Sequence, residues 1–365
     1  MPLSRRHNNF DFIRLCLAVT VIFSHSFPLG TGVETSEPVS VLTHGQITAG
    51  AIAVDLFFIM SGYLITASFQ NSSSPWRFLE KRIRRIYPGF SAAMLVSVLV
   101  VVPMASATLT GRALADRLLN FAGNTLRLTE FSSSGGFAHN AYPGALNGSV
   151  WSISYEFWCY IGVLLLGIFG VLGRRRLVAL IFWLSWVASI VVAIRNWRPG
   201  ISILQMIFGY PPFWARLLPV YLSGVLFYIY RDKIAITRRG VIVAGSVLAL
   251  ACWIPFGWTV VFPFAGAYLL FAAAFAPRVP FSGLAARGDF SYGTYLYAFP
   301  VQQLLVQALG GRANPYWLFA AATPIVLLMA IGSWHLVEKR FLRASRRVAS
   351  MAVRFELGNA APATE

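Results

Sequence analysis

Charged residues are scarce in this chain. Asp, Glu, Lys and Arg make up 12% of its 365 residues, whereas hydrophobic residues make up 57%. About a quarter of the residues of a soluble globular protein are charged, so this composition excludes an ordinary soluble domain. The mean hydropathy of +0.65 agrees. The sequence therefore predicts an all-α polytopic membrane protein.

Cysteine is equally rare. The three cysteines, Cys16, Cys159 and Cys252, all lie within apolar segments. A disulfide framework or a zinc site needs more thiols at closer spacing, so we expect neither, and no other metal site. The chain also lacks an internal repeat and a Gly-rich phosphate loop.

Acidic residues are fewer than basic ones, 13 against 30, which gives a net charge of +17. In a soluble protein this excess would suggest nucleic acid. Here the basic residues stand between apolar runs, so we expect the membrane surface and not nucleic acid as the partner. We predict about ten transmembrane helices, at residues 9–29, 47–69, 87–107, 149–172, 177–194, 214–230, 240–257, 258–277, 291–310 and 316–337.

The basic residues also predict the orientation of these helices. With the amino terminus inside, 22 Lys and Arg fall in cytoplasmic stretches and 6 in external ones. This asymmetry predicts that both termini are cytoplasmic. We expect residues 1–340 to form the membrane domain and residues 341–365 a basic amphipathic, then disordered, cytoplasmic tail. We interpret the first apolar run as a retained helix because it contains Asp11 and Arg14.

The first segment carries Arg14 near one end and His25 near the other. Eleven residues are about three helical turns, so both side chains share one stripe, about 16 Å apart. Ionisable groups inside a spanning helix are costly and usually mark a functional site. The alternative is structural: Arg14 reaches the headgroups and His25 makes a buried helix contact.

Two acids lie at a comparable depth. Asp55 and Glu156 each stand about two turns from the external end of their segments. Together with His25 they fall in the outer half of the bilayer, which predicts one polar site. Alternatively, each acid bonds to neighbouring polar groups and fixes helix packing.

A basic cluster follows the second segment. Arg82 and Arg85 share a helix face at i and i+3, where two guanidinium groups are able to grip a polyphosphate. From spacing alone we favour ordinary cytoplasmic anchoring. The long external loop, residues 107–148, is either a lid or a surface loop. The aromatic residues that follow it either line a sugar path or form an interfacial belt.

Six segments, in order along nearly the whole chain, resemble the signature motifs of acyltransferase family 3, the multispanning membrane O-acyltransferases of surface glycans. One feature departs from the pattern: Ala298 stands where many members have a histidine. The matching segments are Arg14 with His25, VDLFFIMSGYLI (54–65), RIRRIYP (82–88), WSISYEFWCY (151–160), FSYGTYLYAFP (290–300) and HLVEKRF (335–341).

The resemblance implies a reaction. An acyl group would pass from cytoplasmic acyl-CoA to a hydroxyl of a surface or lipid-linked glycan at the bacterial inner membrane. Acetyl is the preferred acyl group. His25 would be the general base, oriented by Glu156 or Asp55, with Glu156 preferred. The remaining expected site residues are Arg14, Arg82, Arg85 and Tyr87 for acyl-CoA, and Trp151, Ser154 and Tyr155 for the acceptor.

Two other classes of protein remain open. A proton-coupled transporter or flippase would also use intramembrane Arg, His, Asp and Glu. The sequence shows no inverted repeat and no paired broken helices, which favours the enzyme. A non-catalytic sensor or scaffold ranks last because it would leave the buried charges without a purpose.

Overall fold

The computed structural model describes residues 9–105, 120–129, 136–200, 203–277 and 288–342. Within these ranges the fold is all-helical and contains no β-strand. Ten helices have 14 residues or more: α1 Phe10–Thr31, α2 Ala49–Gln70, α3 Pro75–Val96, α4 Trp151–Ile168, α5 Arg175–Arg195, α6 Pro211–Ile229, α7 Arg238–Ala251, α8 Gly257–Ala274, α9 Ser291–Ala308 and α10 Pro315–Ser333. The all-α prediction is confirmed.

Local sequence signals explain where several helices begin and end. The Thr48 hydroxyl accepts a hydrogen bond from the Ala51 amide at the start of α2. Such a cap satisfies an amide that has no partner within the helix. At the other end of α1, Gly32 adopts φ +81°, a left-handed conformation that glycine takes without steric cost and that commonly ends helices.

Helix α3 begins well before the predicted segment 87–107. Ser74 caps it and Pro75 occupies its first turn, both typical of helix starts. The helix continues through a π-helical turn, so the stretch Pro75–Ala105 has 31 residues. At 1.5 Å per residue it is about 46 Å long, which exceeds the roughly 30 Å of hydrocarbon. Arg82 and Arg85 therefore lie on this long helix and not in a separate loop.

Eight helices in the described ranges are long and apolar enough to cross a membrane. Helix α7 has only 14 residues, about 21 Å at the helical rise. Helix α9 has 18 residues but carries three glutamines, among them the buried Gln302 and Gln303. The protein is a multi-pass membrane protein. The count of ten spans and the cytoplasmic position of both termini stay predictions.

Helices α2 and α6 approach each other closely because glycines face their contact. A Cβ atom at Gly62 would collide with the backbone of Tyr221, and one at Gly224 with the backbone of Ile59. Small residues of this kind let two helices pack backbone to backbone inside a membrane. Helix α2 consequently has a fixed position between α1 and α6.

The described end of the long loop that was predicted to be external is hydrogen-bonded to α9. The Asn140 amide donates to Gln303 Oε1 over 2.8 Å, and the Gln303 amide donates to the Tyr142 carbonyl, also over 2.8 Å. Asn147 donates to the Leu296 carbonyl over 2.9 Å. This part of the loop is therefore held in place. Residues 107–119 and 130–135 of the loop, and the predicted tail from residue 343, lie outside the described residues.

Candidate active site

A cavity of about 60 Å³ lies between α1, α2, α3, α4 and α9. Its charged lining residues are Arg14, Arg85 and Glu156. Its hydroxyl groups include those of Ser152 and Tyr295. Five separate helices thus contribute to one cavity, and the sequence alone does not show that these helices meet.

Two of the predicted arginines share one carboxylate. Arg14 Nη1 lies 3.2 Å from Asp289 Oδ2, and Arg85 bonds to the same oxygen. Asp289 precedes α9. Its burial raises the carboxyl pKa, but the Arg85 and Arg14 guanidinium groups and the Ser291 hydroxyl outweigh that effect and lower the pKa below its usual value. Asp289 is therefore a carboxylate at neutral pH.

The end of the described chain adds a second acid to this group. Glu338 Oε2 lies 3.7 Å from Arg85 Nη1. The Ser333 hydroxyl donates to Glu338 Oε1 over 3.1 Å. The network therefore joins α1, α3, the start of α9 and the end of α10.

Arg82 has a different environment. Its guanidinium donates to the Ser68 hydroxyl over 3.3 Å and lies over the rings of Phe78 and Tyr160, at 5.8 and 5.9 Å. Its Nε is buried and has no hydrogen-bond partner among the described residues. None of the described carboxylates lies within ion-pair distance of it. Of the three arginines predicted to bind acyl-CoA, Arg82 is therefore the one that no described carboxylate neutralises.

Tyr87 is directed away from this group. Its hydroxyl donates to the Leu126 carbonyl over 2.9 Å, and its ring packs edge-on against Phe157 at 5.6 Å. It does not line the cavity that the described residues form. The structure thus places Arg14 and Arg85 at the cavity and Arg82 beside it, across Tyr160, but not Tyr87.

His25 connects to the cavity through other side chains. Its Nδ1 lies 3.4 Å from the Ser149 hydroxyl, and Phe299 packs edge-on against its ring at 5.4 Å. The Tyr295 hydroxyl donates to the Ser149 carbonyl over 2.5 Å and contacts the Ser152 hydroxyl at 2.8 Å. A polar path therefore runs from the cavity wall to the imidazole, although His25 is not itself in that wall.

The two predicted acids have other partners than His25. Tyr160 donates to Glu156 Oε1 over 2.7 Å, because the two residues are one turn apart on α4. Arg216 Nη2 lies 2.9 Å from Asp55 Oδ1, because α6 packs along α2. The group recorded at His25 Nδ1 is a serine hydroxyl and not a carboxylate. His25, Glu156 and Asp55, expected from depth to share one polar site, thus each bond to a partner of their own.

The expected acceptor residues join the starts of α4 and α6. The Trp151 ring lies 4.5 Å from the Phe213 ring. The Tyr155 hydroxyl accepts a hydrogen bond from the Tyr210 amide over 2.5 Å. The Ser154 hydroxyl donates to the Trp151 carbonyl of its own helix over 3.1 Å. Their present contacts are structural.

The charged or hydroxyl residues that the sequence reasoning missed include Ser149, Arg216, Asp289 and Glu338. Asp289 directly precedes the motif FSYGTYLYAFP, and Ser149 stands two residues before WSISYEFWCY. Arg216 lies inside an apolar segment, where an ionisable group is itself a signal. These positions could be identified from the sequence, but the residues with which they interact could not.

Comparison with known proteins gives the family. A family model of the acyltransferase 3 type, described as an acyltransferase domain, matches residues 7–335. The chain belongs to this acyltransferase family. No solved structure matches the acyltransferase.

Curated relatives cover almost the same length. The acyltransferase is 29% identical over 347 residues to the O-acetyl transferase of Shigella phage Sf6, covering 93% of this chain and 97% of the relative. It is 26% identical to Nodulation protein 10 of Rhizobium leguminosarum bv. viciae, over 92% and 93% of the two chains. It is 27% identical to the putative membrane-bound transacylase BcsY of Komagataeibacter xylinus, over 84% and 80%. The protein is a membrane O-acyltransferase.

Proposed function

We propose that this acyltransferase moves an acetyl group from cytoplasmic acetyl-CoA to a hydroxyl of a surface or lipid-linked saccharide, at the bacterial inner membrane. One observation carries the proposal: an arginine cluster and a histidine are joined by one polar path through the helix bundle. An acyl donor with an anionic end and a reactive far end suits such a path. The phage relative named O-acetyl transferase supports the acetyl group.

The arginines provide the donor end of this site. The phosphates of CoA are strongly anionic and are excluded from hydrocarbon, so they need cations at the cytoplasmic mouth. Arg82 offers a guanidinium with no described carboxylate partner. Arg14 and Arg85 are held by Asp289, which occupies the position of an anion. Donor phosphates would compete with Asp289 for these two groups.

The cavity provides the passage for the pantetheine arm. Arg14 and His25 are about 16 Å apart along α1 by helix geometry, a span comparable with an extended arm. Glu156 in the cavity wall is able to accept hydrogen bonds from the amides of that arm. At about 60 Å³ the cavity is too small for the arm, so donor entry requires its lining side chains to move apart.

His25 would act as the general base. If Nδ1–H donates to the Ser149 hydroxyl, Nε2 keeps its lone pair for the acceptor proton. The acceptor oxygen then attacks the thioester carbonyl, the C–S bond breaks, and the imidazolium returns the proton to the leaving CoA thiolate. In this arrangement Ser149, and not Glu156 or Asp55, orients the imidazole.

A direct assay tests the proposal. Purified protein in lipid nanodiscs is mixed with acetyl-CoA and with de-O-acetylated surface polysaccharide from cells that lack the gene. We expect release of CoA thiol that depends on the polysaccharide, and a gain of one acetyl mass per modified sugar. Absence of both products, together with uptake of a solute by proteoliposomes, would support the transporter instead.

A further inference from the structure

A second, larger cavity lies against a different face of α2 from the first. It measures about 410 Å³ and is formed by α2, α5, α6 and α8. Asp55 faces it, whereas Val54, Phe57 and Phe58 of the same helix line the first cavity. We propose that this second cavity is a saccharide-binding site of the acyltransferase. The inference rests on the proposed function, in which the acceptor is a saccharide, and it assigns the second cavity as the binding site of that acceptor.

Two hydrogen-bond donors in the wall have no partner among the described residues. Trp258 is only 8% exposed, and its indole N–H is unpaired. The Nε of Arg216 is also buried and unpaired, although its Nη2 bonds to Asp55 and to the Ala51 carbonyl. Buried polar groups are nearly always hydrogen-bonded, so two unpaired donors in one cavity point to a ligand rich in oxygen.

The remaining wall is suited to a sugar ring. Trp258 and Phe262 stack with ring centroids 4.8 Å apart, and Phe213 and Tyr210 also line the cavity. Aromatic faces cover the C–H surface of a sugar, while a few fixed polar groups select its hydroxyls. The Asp55–Arg216 ion pair, of which the Asp55 side chain is buried, supplies an acceptor and donors within one wall. A lipid tail would satisfy none of these polar groups.

The position of the cavity also fits an acceptor. Residues Gln46 and 196–198 at its edge belong to stretches predicted to be external. Phe213 of its wall packs against Trp151, which stands two residues after Ser149, the contact of His25. A saccharide held in the cavity would therefore lie on the predicted acceptor side and next to the start of α4.

The principal test is Trp258→Phe, which keeps the ring and removes the N–H. We expect the apparent KM for oligosaccharides cut from de-O-acetylated surface polysaccharide to rise about tenfold, the size of one hydrogen bond. The apparent KM for acetyl-CoA should not change. The matched control is Trp186→Phe, whose indole N–H donates to the Val260 carbonyl over 3.0 Å outside the cavity. That variant should keep both constants.

A binding measurement covers the case in which Trp258→Phe fails to fold. Thr259 lines the cavity. In a variant with Cys16, Cys159 and Cys252 replaced by serine, Thr259→Cys should react with a small thiol reagent, and the same oligosaccharides should slow that reaction several-fold.

The outcomes separate the two proposals. If the wild type transfers acetyl groups but Trp258→Phe leaves the acceptor KM unchanged, the cavity is not a saccharide site and the proposed function stands. Co-purified lipid that occupies the cavity in native mass spectra, with no protection of Thr259→Cys, also overturns the inference. If the wild type transfers no acetyl group, the proposed function fails. Protection of Thr259→Cys by the oligosaccharides then still shows whether the cavity binds a saccharide.

Discussion

At the scale of single residues, the contact between His25 and Ser149 is central to the proposed chemistry. The imidazole is packed by Phe299 on one side and touched by a hydroxyl at Nδ1. A neutral imidazole fixed in this way presents Nε2 as a base. Two substitutions distinguish the role of His25 as the base from the role of Ser149 as the residue that positions it.

The first prediction concerns the base. His25→Ala should reduce acetyl transfer by roughly 10²–10⁴-fold, because positioned bases typically contribute that much. The measurement is acceptor-dependent CoA release by purified protein, normalised to folded protein. His44→Ala is the control, since His44 is exposed and its ring packs edge-on against Trp253. Near-normal transfer by His25→Ala would remove the base assignment.

The second prediction concerns Ser149 as a positioning residue. Ser149→Ala should lower kcat about tenfold, the cost of one hydrogen bond, with the KM for acetyl-CoA unchanged. The loss of the Nδ1 contact should also shift the pH dependence of kcat, a change that a purely structural role would not produce. Ser149→Thr retains the hydroxyl and should recover activity. Equal defects in the two variants would contradict the positioning role.

The third prediction concerns the donor phosphates. Arg82→Ala should weaken acetyl-CoA binding about 10- to 100-fold, because hydrogen bonds to charged groups contribute about 1.5–3 kcal/mol. Arg84→Ala is the matched control two residues away, since Arg84 pairs with Glu80 at 2.8 Å within its own helix. Isothermal titration with acetyl-CoA measures both. If the two variants bind acetyl-CoA with equal affinity, Arg82 does not bind the donor phosphates and serves as an ordinary membrane anchor.

At the scale of elements, Asp289 links the segment before α9 to α1 and α3. Its ion pairs with Arg14 and Arg85 hold together helices that are far apart in sequence. Removing the carboxylate leaves two partly buried cations without their shared partner. Breaking such a pair typically costs about 3–5 kcal/mol, so the link should be visible in stability.

The fourth prediction follows from the lowered pKa of Asp289. A carboxyl group whose pKa is lower in the folded state stabilises the fold above the unfolded pKa of about 3.9, and this contribution is lost as pH falls through the folded pKa. Asp289→Asn should therefore lower the unfolding temperature in nanodiscs at pH 7. The difference from wild type should shrink below pH of about 4. A difference that is constant from pH 7 to pH 3 would exclude this linkage.

At the scale of the whole molecule, the orientation in the membrane decides whether cytoplasmic acetyl-CoA meets the arginines. The predicted orientation places Ser36 outside and Ser73 inside, and both are exposed. This matters for the mechanism because an inverted molecule would present the arginine cluster to the wrong compartment.

The fifth prediction tests this orientation. In a background with the native cysteines replaced by serine, Ser36→Cys should react with a membrane-impermeant maleimide in intact cells, whereas Ser73→Cys should react only after lysis. The two variants are controls for each other. The reverse pattern would place the termini outside and invalidate donor entry at the arginines.

The sequence by itself determined the membrane class, the all-helical fold and the family motifs. Scarce charge and long apolar runs are properties of the sequence itself, so the membrane class and the helical fold followed without knowledge of the tertiary contacts. The early start of α3 was missed because its basic first turns look like a loop when only hydrophobicity is considered.

Only the tertiary structure decided which charges meet. Asp289 lies more than 200 positions from Arg85 and from Arg14, and Arg216 more than 150 from Asp55. Depth along a helix placed His25, Asp55 and Glu156 at one level, but the rotation of each helix about its own axis separated them. That rotation is fixed by packing between helices, such as the glycine contacts of α2 with α6, and not by the order of residues within one segment.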